Sequence, residues 1–160
     1  MSWAGGQFGD RSQCVLADNP GIMTLDGTNT WVLREPGAPR SVVVDPGPPD
    51  DDHLHAVESA AGSVAVVLLT HRHLDHSESA AAFAERVGCE VRAADPSLCT
   101  GADGLGDGDR VEVDGLTVDV LATPGHTSDS VSFLLEADGA LLTGDTVLGR
   151  GTTVVAQPDG

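Results

Sequence analysis

The stretch Thr70-His71-Arg72-His73-Leu74-Asp75-His76-Ser77-Glu78 holds three of the chain's six histidines, and the rest of the chain is best read outward from it. Before it, Val64 to Leu69 is an unbroken run of Val, Ala and Leu, the pattern of a buried strand. After it, Ser77 to Val87 is rich in alanine and stops at Gly88, the pattern of a helix and its C-terminal glycine. The histidines therefore fall in a loop where a strand ends and a helix begins. If extended geometry continues past the strand, side chains two apart share a face, so His71, His73 and Asp75 point together and His76 points away. One short loop then offers two neighbouring metal positions, with imidazole and carboxylate donors suited to zinc and related metals. A lone loop histidine is ordinarily a polar surface residue, whereas three with an aspartate behind a buried strand read as a metal site.

Two later loops add donors of the same kind. Thr123-Pro124-Gly125-His126-Thr127 follows a strand ending at Ala122, and Pro124 with Gly125 breaks that strand and turns His126 outward. Thr143-Gly144-Asp145-Thr146 follows a strand over Ala140 to Leu142 in the same manner. Each alone is weak, since Gly-His and Gly-Asp commonly mark turns. With the central cluster they complete a pattern. A catalytic zinc needs three protein ligands and an open position, which His71, His73 and His126 supply. Asp75 and His76 begin a second set, and Asp145 could bridge the two.

The remaining elements frame these loops. Cys14 to Ala17 is a short apolar run before the turn at Asn19-Pro20-Gly21, and Thr28 to Arg34 alternates as a strand with Trp31 and Leu33 on one face. Ser41 to Asp45 is a further strand, stopped by Pro46-Gly47-Pro48-Pro49. Asp50 to Asp52 precede a short helix over His53 to Ala61, whose N-terminus favours acids. His53 and His55 form a second His-x-His pair, but residues two apart on a helix do not face each other, so the pair reads as a surface accident without a metal. Glu90 to Ala93 is a thin strand and Thr100 to Asp109 a loop. Arg110 to Val113 and Leu116 to Thr123 flank Asp114-Gly115, a hairpin signal, and Ser130 to Glu136 and Ala140 to Thr143 flank a second one at Asp138-Gly139. Strands dominate, with helices between the early ones: an α/β (α+β) fold in one domain over residues 1–160.

Composition narrows the partners. The chain has 160 residues, 40% of them hydrophobic, enough for one domain with a real core. Its formal net charge is −17, with eight arginines and no lysine, and aromatics make up only 3%. No basic stripe interleaved with aromatics appears, so RNA is a partner poorly supported by charge and a small-molecule substrate is preferred. No apolar run approaches the ~18 residues of a membrane span, and Met1 to Phe8 lacks the basic start and apolar stretch of a secretory leader. Cys14, Cys89 and Cys99 share no Cys-x-x-Cys spacing and read as reduced thiols of a cytoplasmic protein.

The run His71-x-His73-x-Asp75-His76, then His126 in a Pro-Gly-His-Thr loop, then Asp145 in a Thr-Gly-Asp loop, resembles the metallo-β-lactamase superfamily. The resemblance implies an αββα sandwich with a dinuclear zinc site, iron or manganese being compatible with the same donors. It implies metal ligation by His71, His73, Asp75, His76, His126 and Asp145, with Asp45 supporting the site from behind its ligands. It also implies a hydrolase in which Asp75 holds a metal-bound hydroxide for attack on an ester, thioester, amide or phosphodiester. Asn19 to Thr24, Gly27 to Thr30 and Leu148 to Thr153 are similar to the β-lactamase-like branch that includes a mitochondrial endoribonuclease. Cleavage of single-stranded RNA is therefore one alternative, a mononuclear-iron redox enzyme a second, and a non-catalytic metal-binding module a third. The family carries one more ligand histidine after the position of Asp145, and no histidine follows His126 here. The expectation is a catalytic domain incomplete at its C-terminus, with an incompletely ligated second metal and a tendency to self-associate.

Overall fold

A computed structural model describes residues 3–160; Met1 and Ser2, the head of the stretch read for a leader, lie outside the described residues. Two adjacent strands, β4 (Arg40–Val44) and β5 (Ser63–Leu68), run parallel through the middle of a six-stranded sheet. Both are covered on two faces, which is why their sequences are apolar throughout rather than alternating. Val42, Val44, Val66 and Leu68 face one core, and Val43, Val64 and Val67 the other. The register steps from Ser41 opposite Val64 to Val42 opposite Val66, leaving Ala65 as the extra residue of a bulge.

Around this pair the sheet follows chain order. β1 (Gly6–Phe8), β2 (Ser12–Leu16) and β3 (Asn29–Leu33) are antiparallel neighbours leading to β4, and β6 (Glu90–Arg92) lies parallel on the far side of β5. A second, antiparallel sheet holds β7 (Arg110–Val113), β8 (Leu116–Ala122), β9 (Val131–Leu135) and β10 (Ala140–Leu142), in the order β10-β9-β8-β7. Its inward residues, among them Val118, Val120 and Phe133, pack against Leu33, Val42, Val44 and Leu68. On the other face of the first sheet lie α1 (Asp51–Ala61) and α3 (Ala80–Val87), burying Leu54, Val57 and Phe83 against Val43 and Val67. The described residues thus give an αββ arrangement, the corresponding layers of the expected αββα sandwich. None of their helices is long and apolar enough to cross a membrane.

Three local expectations need correction. The helix expected over Ser77 to Val87 begins earlier and in two pieces: α2 (Leu74–Ser77), then α3 after Glu78 and Ser79. The chain turns helical immediately after His73, so Asp75 and His76 do not continue a strand. The second hairpin is not a two-residue turn at Asp138-Gly139, because Glu136–Asp138 forms a 3-10 turn before Gly139, at φ 59°. Asp138 is drawn away from the turn: its carboxylate accepts from the Arg11 side chain and from the backbone N–H of Asp10 and Arg11. Finally, His53 is buried, not a surface residue. It lies four residues before Val57 and eight before Ala61, on the apolar face of α1.

Candidate metal centre

Asp45 follows β4, His71 and His73 follow β5, His126 follows β8 and Asp145 follows β10. Strand ends of both sheets converge there, and hydrogen bonds fix the rings of His71, His76 and His126. Asp45, buried and at φ 51°, accepts from Thr70 N–H through Oδ1 at 2.8 Å. Its Oδ2 accepts from the Thr70 hydroxyl at 2.6 Å and from His76 Nδ1 at 2.8 Å. Because the Thr70 hydroxyl spends its proton on Asp45, its oxygen accepts from His71 Nδ1, 2.9 Å away. His126 Nδ1 donates to the Val154 carbonyl at 2.7 Å. His71, His76 and His126 therefore carry their protons on Nδ1 and present Nε2 inward.

His71 Nε2 is buried with no hydrogen-bond partner. His126 Nε2 stands 2.9 Å from His73 Nδ1. Donor atoms of His71, His73 and His126 all lie within 4.8 Å of one another, as do those of Asp45, His71 and His76. An orphaned buried nitrogen is costly unless a ligand meets it, and converging lone pairs need a cation or proton between them. The donor set fits a divalent metal.

Beside it, His76 Nε2 lies 3.3 Å from Asp75 Oδ2 and 3.3 Å from Asp145 Oδ1, while Asp145 Oδ2 lies 3.7 Å from His126 Nε2. Asp145 thus faces both groups of residues. Asp75 does not share a face with His71 and His73; the turn of α2 pairs it with His76. Asp45 bonds Thr70 and the Nδ1 side of His76.

Charge follows this geometry. Burial pushes His71 down to about 4, helped by nearby His76, so its imidazole is neutral at pH 7. Burial alone would lower His76 too, but the Asp45 charge and contacts with Asp145 and Asp75 hold it well above the usual histidine range. Burial works against ionisation of Asp75, yet its contact with His76 and the Thr28 hydroxyl, 3.1 Å away, bring it down to about 2.

Several supporting residues escape a linear reading. Thr28 reaches Asp75, and its own N–H and hydroxyl pair with the Asn19 side chain. His53 Nε2 donates to the Thr30 hydroxyl at 2.9 Å, which donates to the Asp45 carbonyl at 2.7 Å. The helical spacing of His53, Val57 and Ala61 was the signal available for it. His55, by contrast, is exposed and bonds only the Asp51 carbonyl one turn back. A cavity of about 590 Å³ adjoins Asp75, His76 and Asp145, with Met23, Leu25, Trp31 and Leu148 among its apolar lining.

The sequence profile of the metallo-beta-lactamase superfamily matches residues 23–159. An atrochrysone carboxyl ACP thioesterase of Aspergillus fumigatus is 40% identical, over 88% of this chain and 46% of its own length. A beta-lactamase-like protein 2 homolog of Caenorhabditis elegans is 34% identical, over 88% of this chain and 51% of its own. The chain spans about half the length of the curated relatives it matches. Among solved structures, ETHE1 from Myxococcus xanthus superposes with a TM-score of 0.69 at 30% identity, over 88% of this chain and 60% of that one. A metallo-beta-lactamase family protein from Thermus thermophilus superposes with a TM-score of 0.75 over 90% of this chain and 62% of that one; at 22% identity it speaks for the fold alone.

Proposed function

This chain belongs to the metallo-beta-lactamase superfamily, and from that membership we propose that it is the metal-binding part of a hydrolase acting on small thioesters or esters. The observation that carries the proposal is the convergence of His71 Nε2, His126 Nε2 and His73 Nδ1, the first buried without a partner. His71, His73 and His126 hold one metal, zinc by preference for such donors. Asp75, His76 and Asp145 partly form a second place beside it. A divalent metal held there would supply Lewis acidity and bring the pKa of a water ligand to about 7.

The chain's own groups do the rest. Asp75, held low in pKa, stays an acceptor and is placed to orient the attacking water by a hydrogen bond. Thr28 keeps that carboxylate from rotating. The N–H of His71, His76 and His126 at Nδ1 is committed elsewhere, and the chain has no lysine or tyrosine. With those Nδ1 protons engaged and His76 Nε2 held between Asp75 and Asp145, a leaving group that departs as an anion suits the site. A thiolate, from a thiol of pKa about 8.5, needs little help, whereas an amine must be protonated. Relatives named as thioesterases agree with this choice. The apolar residues lining the adjoining cavity offer a place for the acyl group. The acidity of the chain favours a small neutral substrate over RNA.

The test is hydrolysis of a small acyl thioester, a lactam and a single-stranded RNA by zinc-loaded protein, with metal analysis alongside. Thioester cleavage that disappears with a chelator and in His71→Ala supports the reading. Cleavage of RNA alone, or iron as the metal that restores activity, overturns it.

A further inference from the structure

The three-histidine group is assembled from two separate loops. His71 and His73 follow β5, and His126 follows β8. The backbones meet once, where Val131 N–H donates to the Thr70 carbonyl at 2.8 Å. The side chain between the two histidines makes the other link. Arg72 Nε donates to Asp129 Oδ1 at 3.1 Å, and Nη2 donates to Ser128 Oγ at 3.1 Å. Arg72 also lies 3.2 Å from Asp159 through Nη1 and 3.9 Å from Asp95 through Nε. Asp129 has only 6% of its side chain exposed, and its Oδ2 is buried without a partner. A buried carboxylate two residues past Thr127 on the His126 loop is thus compensated by a guanidinium flanked by His71 and His73.

We propose that Arg72 is a positioning residue for the metal centre: through Asp129 and Ser128 it fixes the His126 loop against the His71 and His73 loop. The assignment rests on the metal-centre reading above. The guanidinium suits the task because its planar fork reaches two acceptors at once, which an ammonium cannot do with fixed geometry. Locking both loops holds His73 Nδ1 and His126 Nε2 at the close separation seen here. Residues that orient ligands in this way typically contribute 10–100-fold to metal affinity when bonded directly to the ligand side chain. Arg72 acts one bond further away, through the backbone.

The test is Co²⁺ affinity, by competition with a chelator, and the Co²⁺ absorption spectrum, on wild type, Arg72→Ala, Arg72→Lys, Asp129→Ala and the Arg72→Ala/Asp129→Ala double variant. Circular dichroism and thermal melting of the metal-free proteins report folding. Arg72→Ala leaves a buried charge unpaired, so the double variant, which has none, carries the test if the single one fails to fold. The expected result is a loss of about tenfold or more in Co²⁺ affinity for Arg72→Ala, an altered spectrum, and partial rescue by lysine. The double variant should lose as much as Arg72→Ala, because losing Arg72 already removes the side-chain hydrogen bond to Asp129. Wild-type affinity in the folded double variant overturns the assignment and makes the pair a matter of charge burial. If wild type itself binds no Co²⁺, the metal-centre reading fails and takes this assignment with it. If wild type binds and the variants match it, only this assignment falls.

Discussion

Gly144 sits directly against Thr70: a Cβ at Gly144, where φ is +50°, would lie 2.6 Å from Thr70 Oγ1 and 2.8 Å from Thr70 Cβ. The contact brings the loop carrying Asp145 onto the residue that orients both His71 and Asp45. Gly144→Ala should therefore displace Asp145 or Thr70 and cost about 1–3 kcal/mol, the usual range for overpacking. Chemical denaturation of the metal-free protein measures it. An unchanged midpoint would mean that the loop yields freely.

Asp45 offers a cleaner probe of ligand orientation. Its positive φ suits Asn as well as Asp, so Asp45→Asn keeps the backbone and removes an acceptor from Thr70 or His76. Metal affinity should fall about 10–100-fold with little change in far-ultraviolet circular dichroism. Chelator competition reads the first quantity. Affinity within twofold of wild type would show that Thr70 and His76 hold their places without the charge.

The gathering of these side chains was legible in the sequence because histidine and aspartate are recognised by residue type and loop position. His71, His73, His126 and Asp145 each stand just past an apolar run, and strand ends converge wherever two sheets pack. The partnership of Asp75 was not legible, because it depends on α2 starting at Leu74 and periodicity cannot fix a helix start within a loop. The burial of His53 follows from its helical spacing to Val57, which the His-x-His spacing to His55 masks. The Arg72–Asp129 pair joins residues 57 apart, a contact that only the packed sheets reveal.

For His53 the structure predicts a stabilising role and none in metal binding. His53→Ala removes the donor to Thr30 and leaves space in the core, so it should cost about 1–3 kcal/mol, whereas His55→Ala should be neutral. Burial lowers the His53 pKa, so its contribution is present above the unfolded value near 6.5 and is lost as pH falls through the lower folded value. Denaturant midpoints of wild type and His53→Ala across pH 5 to 8 test this; the gap between them should narrow on acidification. A gap that widens would reverse the sign and sink the assignment.

Cys14 should be inert in the folded chain. Burial pushes its thiol up to about 12, so almost no thiolate exists at neutral pH. The neutral thiol also favours the folded state below the unfolded pKa, an advantage lost as pH rises from that value through about 12. Iodoacetamide at neutral pH followed by mass spectrometry should find Cys14 unmodified until denaturant is added. Rapid labelling of native protein at Cys14 would show the β2 face to be open.

The most direct test of the metal centre is the zinc content of chelator-stripped protein after reloading and dialysis, compared between wild type and the His71→Ala/His73→Ala double variant. The three-histidine group is the better-formed of the two places, so wild type should retain about one tightly held zinc per chain, and the double variant almost none while remaining folded. Equal zinc in the two proteins would contradict the account, because the metal would then be held by residues other than those converging here.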